Sequence, residues 1–237
     1  MTHYIHAMIC SAALPESDAS KIIMLQARYN VVLCSRTQKD INSTVREIKE
    51  RTNTDDKVVG IKCDVSSCLE VEHLIKCTLD RFKSIQVLVN NAGIVYVKRL
   101  IDTSEAEWDR TININLKGTF LCTRAALPIM IGKRSGVIIN VSSGAGKTGF
   151  PNISAYCASK FGMIALTESL AWEVANYNIR VMAICPGEVD TRMQQGIDKD
   201  YYRTNKQKML QPSTVAEKIA EMIFENQYHN GQSVEIG

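Results

Sequence analysis

The segment that decides the fold runs from Gly136 to Val174 and reads GVIINVSSGAGKTGFPNISAYCASKFGMIALTESLAWEV. It opens with the short β-branched run GVIINVSS, which is nearly continuous in hydrophobicity, and closes with a longer segment of helical period from Ser154 to Val174. Strands that are buried on both faces of a parallel sheet have this unbroken apolar pattern. The segment therefore predicts a buried strand followed by a helix.

The same unit recurs along the chain. The other strand candidates are YIHAMIC from Tyr4, NVVLCSR from Asn30, KVVGIKCDV from Lys57, IQVLVNNAG from Ile85, IRVMAICPG from Ile179 and QSVEIG at the end. A second clear helical segment runs from Ala106 to Met130. Strand–helix alternation of this kind predicts an α/β fold, a doubly wound Rossmann-like parallel sheet with helices on both faces. No repeat or Pro/Gly-rich linker divides the chain, so we expect a single domain over residues 1–237.

Composition excludes several classes of protein. Apolar residues make up 45% of the chain and charged residues 22%, which is typical of a globular protein. A net charge of +3, spread along the chain, argues against nucleic-acid binding. No apolar run approaches the roughly 18–20 residues that span a bilayer, and the N-terminus lacks the pattern of a signal peptide, so we expect no membrane association.

The eight cysteines show neither a CxxC pair nor histidines at zinc-ligand spacing, so the sequence predicts no metal site. Several lie in apolar strand-like runs, where a reduced cysteine packs as a small hydrophobic residue. Reduced thiols indicate a reducing compartment, and we therefore expect a cytoplasmic protein.

Chemistry is expected at the carboxyl ends of the strands, where ligands bind in open parallel sheets. Tyr156 and Lys160 lie four residues apart in SAYCASKFG and share one face of the predicted helix. Ser143 ends a buried strand thirteen residues before Tyr156, and Asn115 lies in the amphipathic segment WDRTININLKGTF. An ammonium beside a phenol favours the phenolate, and a serine hydroxyl can hold a carbonyl oxygen beside it. Together these residues suit carbonyl reduction.

Tyr202 and Lys206 have the same spacing in a polar stretch. Without a comparable context, we interpret this second pair as a solvated helix face.

The motifs NNAG at Asn90 to Gly93, NLKGTF after Ile114, and PGEVDT at Pro186 to Thr191 accompany the Ser–Tyr–Lys set. Their combination resembles the short-chain dehydrogenase/reductase family from about Tyr29 to Met193, and more loosely from Gln211 to Gly237. Within that family, the 3-oxoacyl-thioester reductases are the closest analogy. The resemblance implies hydride transfer between a nicotinamide cofactor and a small-molecule carbonyl or secondary alcohol.

The resemblance also implies roles for the four catalytic candidates. Tyr156 would be the general acid/base, and Lys160 would lower its pKa and bind the nicotinamide ribose. Ser143 would orient the substrate. Asn115 would kink its helix and hold a water in the proton relay.

Further positions would bind the cofactor. They are Asn91, Ala92 and Gly93 in the cleft, Asp64 and Val65 beside the adenine, and Val189 and Thr191 at the nicotinamide end. A carboxylate at the end of the second strand would favour NAD(H), but this chain has Ser35 and Arg36 there, a hydroxyl and a cation that suit a 2′-phosphate. We therefore expect NADP(H) in preference to NAD(H).

One segment departs from the family pattern. The family places a TGxxxGxG loop after the first strand, where this chain reads CSAALPES from Cys10 to Ser17. The residues at the three glycine positions are Ser11, Pro15 and Ser17. Pro15 has no N–H to offer a phosphate, and the carboxylates of Glu16 and Asp18 would repel a pyrophosphate. An alternative therefore stays open, a degenerate non-catalytic member that acts as a binding or assembly partner.

Two further expectations concern the surface. The polar segment MQQGIDKDYYRTNKQKMLQ, which follows Thr191 and Arg192, is predicted to be a mobile lid that governs substrate specificity. The two long helical segments carry apolar residues on more than one face, namely Phe120, Leu121, Leu127, Ile129, Phe161, Met163, Leu166 and Leu170. The resemblance implies that these helices pair between subunits in a homodimer or homotetramer.

Overall fold

A computed structural model describes residues 5–10, 29–53 and 56–237. Its centre is one sheet of seven parallel strands in the order β3-β2-β1-β4-β5-β6-β7. The strands are β1 (Ile5–Cys10), β2 (Tyr29–Ser35), β3 (Val58–Lys62), β4 (Val87–Asn90), β5 (Gly136–Val141), β6 (Ile179–Pro186) and β7 (Ser233–Ile236). The order runs outward from β1 in both directions, which confirms the predicted doubly wound sheet.

The described part of the chain contains eight α-helices. They are α1 (Gln38–Thr52), α2 (Cys68–Phe82), α3 (Glu105–Ile112), α4 (Gly118–Lys133), α5 (Ser154–Glu173), α6 (Arg192–Ile197), α7 (Lys199–Asn205) and α8 (Pro212–Phe224). A π-helical segment, Asn113–Lys117, joins α3 to α4 without a break. The structure thus divides the predicted helix Ala106–Met130 between two α-helices and a π turn.

Helices cover both faces of the sheet, and each face has its own apolar core. In β2, Val32 and Cys34 contribute to the core beneath α2, α4 and α5, whereas Val31 and Leu33 contribute to the core beneath α1 and α8. All four side chains are at most 1% exposed. This burial on both faces is the physical reason for the unbroken apolar runs in the sequence.

The strands end earlier than predicted, and the difference exposes the edge of the sheet at which ligands bind. The predicted strand Lys57–Val65 leaves the sheet after Lys62, where the backbone N–H of Cys63 donates to the carbonyl of Ser35 at 2.8 Å. The predicted strand Ile85–Gly93 ends at Asn90. Asp64, Val65 and the segment after Asn90 therefore lie in loops beyond the strands.

Some sequence features are absent from the described residues or lie outside them. Within the described ranges, no helix is long and apolar enough to cross a membrane, and no group of three His, Cys, Asp or Glu side chains is placed to hold a metal. No disulfide joins the cysteines whose side chains are described. The loop positions Ser11, Pro15, Glu16, Ser17 and Asp18 lie outside the described residues.

Candidate active site

The predicted catalytic residues meet at the carboxyl end of the central strands. Ser143 lies just beyond β5, and Tyr156 and Lys160 lie in the first two turns of α5, which packs against β6 and the turn after Ser143. Asn115 reaches the same place from the π segment. The structure therefore brings together all four residues that the sequence analysis singled out.

Lys160 is a buried cation held at one end of β5. Its side chain is only 3% exposed, and its Nζ donates to the backbone carbonyl of Val141 at 2.7 Å. The backbone of Lys160 is anchored as well, because the hydroxyl of Ser142 donates to its carbonyl at 3.0 Å. Nζ lies 5.5 Å from the centre of the Tyr156 ring. Burial disfavours the charged form and lowers the pKa of Lys160 to about 8.

The pKa of Tyr156 is raised, whereas the sequence predicted that it would be lowered. Burial is the largest influence and raises the pKa of the phenol, while a hydrogen bond with Ser143 acts in the opposite direction. The loss of solvation around the phenol sets the direction of the shift, and the lowering expected from the Lys160 ammonium is not seen. Ser143 is itself oriented, because its Oγ accepts a hydrogen bond from the backbone N–H of Ala145 at 3.1 Å.

Asn115 is fully buried and connects the π segment with the loop after β4 and with α5. Its Nδ2 donates to the carbonyl of Ile94 at 2.9 Å and to the hydroxyl of Ser159 at 3.0 Å, and its Oδ1 accepts from the N–H of Ile94 at 2.8 Å. The π turn around Asn115 is the local distortion at the place where a kink was expected.

Gly93 brings the loop after β4 close to these residues. A Cβ built on Gly93 would lie 3.6 Å from Oδ1 of Asn115 and 3.7 Å from Nζ of Lys160. Ala92 beside it is buried and Asn91 is half-buried. The NNAG motif therefore forms one wall of the site.

The second group of predicted cofactor residues lies at the ends of β2 and β3. Ser35 is buried at the end of β2, and Arg36 follows it with a partly exposed side chain. The Asp64 carboxylate accepts hydrogen bonds from the N–H of Ser66 at 2.9 Å and from its hydroxyl at 2.7 Å. Val65 points into the core.

Gly118 explains the close packing at Val65. A Cβ on Gly118 would approach Cγ2 of Val65 to 2.7 Å, which real side chains do not tolerate. A glycine at the start of α4 therefore lets this helix lie against the loop after β3.

Val189 and Thr191 follow β6 and precede the predicted lid. Val189 forms an isolated parallel bridge with Leu210, and the hydroxyl of Thr191 accepts from the N–H of Gln194 at 3.2 Å, which caps α6. The predicted lid is helical in the structure, with α6 and α7 followed by a 3₁₀ turn at Lys206–Lys208.

The structure corrects our interpretation of Tyr202 and Lys206 as a merely solvated pair. The Tyr202 hydroxyl donates to Oδ1 of Asp190 at 2.5 Å, and Nζ of Lys206 lies 3.5 Å from Oδ2 of the same carboxylate. Both side chains extend back toward the end of β6. Sequence spacing alone did not show this, because the partner residue is twelve positions away from Tyr202.

Two more residues of the site escaped the sequence analysis. Ser159 connects Asn115 to α5, since its hydroxyl also donates to the carbonyl of Tyr156 at 2.7 Å. Asp190 connects the lid to the strand end. In the sequence, Ser159 stands out only as a serine within the predicted catalytic helix. Asp190 stands out only as an acid between two predicted cofactor residues.

Comparison with known proteins agrees with this geometry. Residues 20–202 match the family described as short chain dehydrogenase. The chain belongs to the short-chain dehydrogenase family.

Its relatives within the family are enzymes. The chain is 32% identical to the 3-oxoacyl-(acyl-carrier-protein) reductase FabG of Thermotoga maritima over 97% of its own length and 94% of that relative. It is 33% identical to the FabG of Staphylococcus aureus over 97% of its length and 95% of the relative. This member of the short-chain dehydrogenase family is accordingly an oxidoreductase, similar to the 3-oxoacyl-thioester reductases, and no finding supports the non-catalytic alternative.

A solved structure shows the same architecture. The actinorhodin polyketide ketoreductase, crystallised with NADPH, superposes on 100% of this chain and 97% of its own with a TM-score of 0.90 at 26% identity. The Rossmann-like fold of the chain is thereby confirmed.

Proposed function

We propose that the protein is an NADP(H)-dependent oxidoreductase that interconverts a carbonyl and a secondary alcohol by hydride transfer, with Tyr156 as the general acid/base. The observation that carries this proposal is the buried Lys160 ammonium, held by Val141 and placed 5.5 Å from the ring of Tyr156. Tyr156 in turn shares a hydrogen bond with Ser143. A buried cation, a phenol and an oriented hydroxyl are the groups that this reaction needs.

In the reducing direction, Ser143 holds the substrate carbonyl oxygen and Tyr156 transfers its phenolic proton to that oxygen. A bound nicotinamide cofactor would supply the hydride for the carbonyl carbon. The nearby Lys160 ammonium stabilises the phenolate that remains, until a proton from solvent restores the phenol. Because burial raises the pKa of Tyr156, the phenol holds its proton at neutral pH and is ready to act as the acid.

The hydrogen bonds of Lys160 suit a bound dinucleotide. An ammonium carries three donors, and the described structure directs one of them to Val141. The two others suit the hydroxyls of the nicotinamide ribose. Gly93 belongs to the loop after β4 and carries no side chain that would project toward Lys160. This wall of the cleft is therefore free of a side chain beside Lys160.

The remaining cofactor contacts follow the edge of the sheet. We propose that Asp64 and Val65 flank the adenine, that Asn91, Ala92 and Gly93 line the cleft, and that Val189 and Thr191 meet the nicotinamide. The anchored Asp64 carboxylate and the buried Val65 side chain suit this role, because both hold their loop in one shape.

The preference for NADP(H) rests on charge. Arg36 is a partly exposed cation directly after β2, next to the buried Ser35. A guanidinium binds a phosphate through paired donors, whereas a 2′-hydroxyl gains little from it. The ketoreductase that shares this fold was crystallised with NADPH.

We propose a 3-oxoacyl thioester as the substrate class, because the relatives that match nearly the whole chain reduce such groups according to their names. The proposal is tested by following NADPH oxidation at 340 nm with acetoacetyl-CoA as the probe. A matched series with NADH, and with the variant Arg36→Asp, measures the cofactor preference.

We expect turnover with NADPH to exceed turnover with NADH in the parent, and the preference to fall at least about tenfold in Arg36→Asp, which corresponds to about 1.4 kcal/mol. An unchanged preference in that variant would contradict the role of Arg36. No oxidation of either cofactor with any carbonyl probe would contradict the proposed reaction.

We also propose that the protein assembles as a homodimer or homotetramer in the cytoplasm. Of the apolar residues named for α4 and α5, the structure places Leu121, Met163 and Leu170 in the core, but Phe120 and Phe161 are 42% and 44% exposed. Trp172 on α5 is 84% exposed. Exposed aromatic side chains on neighbouring helices are typical of a protein interface.

A further inference from the structure

The chain leaves the end of β6 at Val189, forms the lid, and returns to the same place at Leu210. The N–H of Asp190 donates to the carbonyl of Leu210 at 2.9 Å, and the N–H of Leu210 donates to the carbonyl of Glu188 at 2.9 Å. Helices α6 and α7 lie between these two anchor points. Two backbone hydrogen bonds close the base, and side-chain contacts of Glu188 and Asp190 join the helices to the end of β6.

Asp190 supplies the more buried of these contacts from the base of the lid. Its carboxylate accepts the 2.5 Å hydrogen bond from Tyr202 on α7 and pairs with Lys206 in the next turn at 3.5 Å. Lys206 also lies 5.5 Å from the centre of the Tyr202 ring. The Asp190 side chain is 17% exposed, so water competes little for its oxygens.

We infer that Asp190 is a positioning residue, a latch that holds the lid on the segment carrying Val189 and Thr191 and so lowers the Michaelis constant of the reaction. The inference rests on the proposed function, because Val189 and Thr191 are the residues proposed to meet the nicotinamide. The backbone of Asp190 lies between these two residues, so a lid held by its carboxylate also restrains them. Closing the lid is therefore expected to order that end of the site.

The neighbouring residue Tyr201 provides a matched control. Its hydroxyl donates to the carboxylate of Glu188 at 3.1 Å, so it has the same chemistry on the same helix. Tyr201 is 44% exposed, however, and exposed hydrogen bonds contribute little because water replaces them. The variants Tyr202→Phe and Tyr201→Phe each remove one hydroxyl and keep the ring.

The first measurement is limited proteolysis of the native protein with trypsin, which cleaves after Lys199, Arg203, Lys206 or Lys208 only when the lid opens. We expect Tyr202→Phe to be cut in the lid about tenfold faster than the parent, as for the loss of one hydrogen bond to a charged group. We expect Tyr201→Phe to change the rate less than about threefold. Thermal melts of both variants should match the parent, because the lid lies outside both cores.

The second measurement is steady-state kinetics with NADPH and acetoacetyl-CoA. We expect Tyr202→Phe to raise KM for NADPH at least about threefold with little loss of kcat, a split that a general loss of structure would not give. The matched variant Tyr201→Phe should leave both constants within about twofold of the parent.

Each outcome decides the inference. Equal cleavage of Tyr202→Phe and the parent would overturn the latch, and faster cleavage with unchanged kinetic constants would overturn the positioning role. A parent that neither binds NADPH nor turns over would contradict the proposed function and with it the kinetic part, whereas the cleavage rates would still decide whether Asp190 latches the lid. A lowered melting temperature in Tyr202→Phe would also count against a local latch.

Discussion

Burial of the site changes the pKa values of Tyr156 and Lys160 in opposite directions. Burial raises the pKa of the phenol and lowers that of the ammonium, so both shifts come from the same loss of water. The phenol therefore holds its proton at neutral pH, while the ammonium is close to losing its own. The pair is poised for reduction below about pH 8, where both groups are protonated.

We predict that Tyr156→Phe lowers kcat for reduction of acetoacetyl-CoA by about 10²–10⁴-fold, the usual contribution of a positioned acid. Phenylalanine keeps the ring against Lys160 and removes only the titrating oxygen, so the thermal melt and NADPH binding should stay close to those of the parent. Rates, circular dichroism melts and NADPH fluorescence titrations check the three parts. A variant that kept the parent's rate would show that Tyr156 is not the acid.

The pH dependence of kcat/KM tests the role of Lys160. Its protonated form is the one that stabilises the phenolate, and its pKa in the folded protein is about 8, lowered from an ordinary value of 10.5. We expect kcat/KM for reduction to be level at low pH and to fall as pH rises through about 8, because the ammonium is then lost. A profile measured from pH 6 to 10 that stayed level to pH 10 would contradict this assignment.

The lowered pKa of Lys160 also makes the stability of the protein depend on pH. Between about pH 8 and 10.5 the unfolded lysine binds a proton that the folded one does not, so the free energy of unfolding rises with pH in that window on account of Lys160. At neutral pH the buried ammonium therefore costs stability. We interpret this cost as a sign that the side chain is kept for chemistry, in line with the general conflict between stability and function.

At the scale of elements, the π segment depends on α5 for its position. Ser159 accepts a hydrogen bond from Asn115 at 3.0 Å and donates one to the carbonyl of Tyr156 at 2.7 Å, in a fully buried place. We predict that Ser159→Ala lowers the free energy of unfolding by about 1–3 kcal/mol, because a buried donor of Asn115 loses its acceptor.

Chemical denaturation measures this effect, and Ser169→Ala on the exposed side of the same helix is the control. That control should change the free energy of unfolding by less than about 0.5 kcal/mol. Equal effects of the two variants would show that the link between Ser159 and Asn115 carries no particular stability.

The elements themselves were largely predictable, and the reasons are physical. Burial on both faces of β2 and β5 produces unbroken apolar runs, and helix α5 (Ser154–Glu173) matches the predicted Ser154–Val174 almost to the residue. The family resemblance implied a kink at Asn115, but composition alone did not predict the π turn, because one extra residue in a helical turn leaves the local composition unchanged. The contacts of Asp190 with Tyr202 and Lys206 join residues that are distant in sequence, which a periodicity does not encode.

The pKa of Tyr156 shows a further limit. The four-residue spacing to Lys160 correctly predicted that the two side chains share a face. It did not predict how completely water is removed around them, since that depends on α5, β5 and the loop after Ser143 together. The direction of the shift is thus a property of the packed site and not of the pair.

At the scale of the whole molecule, the exposed aromatics of α4 and α5 predict assembly. We expect light scattering at micromolar concentration to give at least twice the 26.4 kDa of one chain. The variant Phe161→Glu places a charge on this surface and should lower the mass toward that of one chain, because a buried unpaired charge is costly. A parent of monomeric mass would contradict the prediction.

Affinity for the cofactor also depends on the whole cleft. Measuring this affinity tests the role of the segment CSAALPES from Cys10 to Ser17. Residues 11–17 of this segment lie outside the described residues, so its role stays a prediction from the sequence. Losing one backbone N–H contact to a phosphate costs on the order of 1.5–3 kcal/mol, or about one to two decades in affinity. Glu16 and Asp18 add a repulsion that salt would screen. Contacts of Arg36 and Lys160 remain, so we expect weakened binding of NADPH that still permits turnover.

Placing glycine at positions 11, 15 and 17, together with Glu16→Ile, gives position 15 a backbone N–H, removes the three side chains and removes one carboxylate. We predict that NADPH then binds at least about tenfold more tightly, a change of about 1.4 kcal/mol. Fluorescence titration of the parent and the variant at two salt concentrations separates the two causes, because the part of the gain that comes from removing the Glu16 carboxylate shrinks as salt rises. A parent that already binds NADPH with a sub-micromolar Kd would contradict this account of the segment. If the substituted variant bound no better, the limit on affinity would lie elsewhere along the cleft, and Arg36 would be the first residue to test.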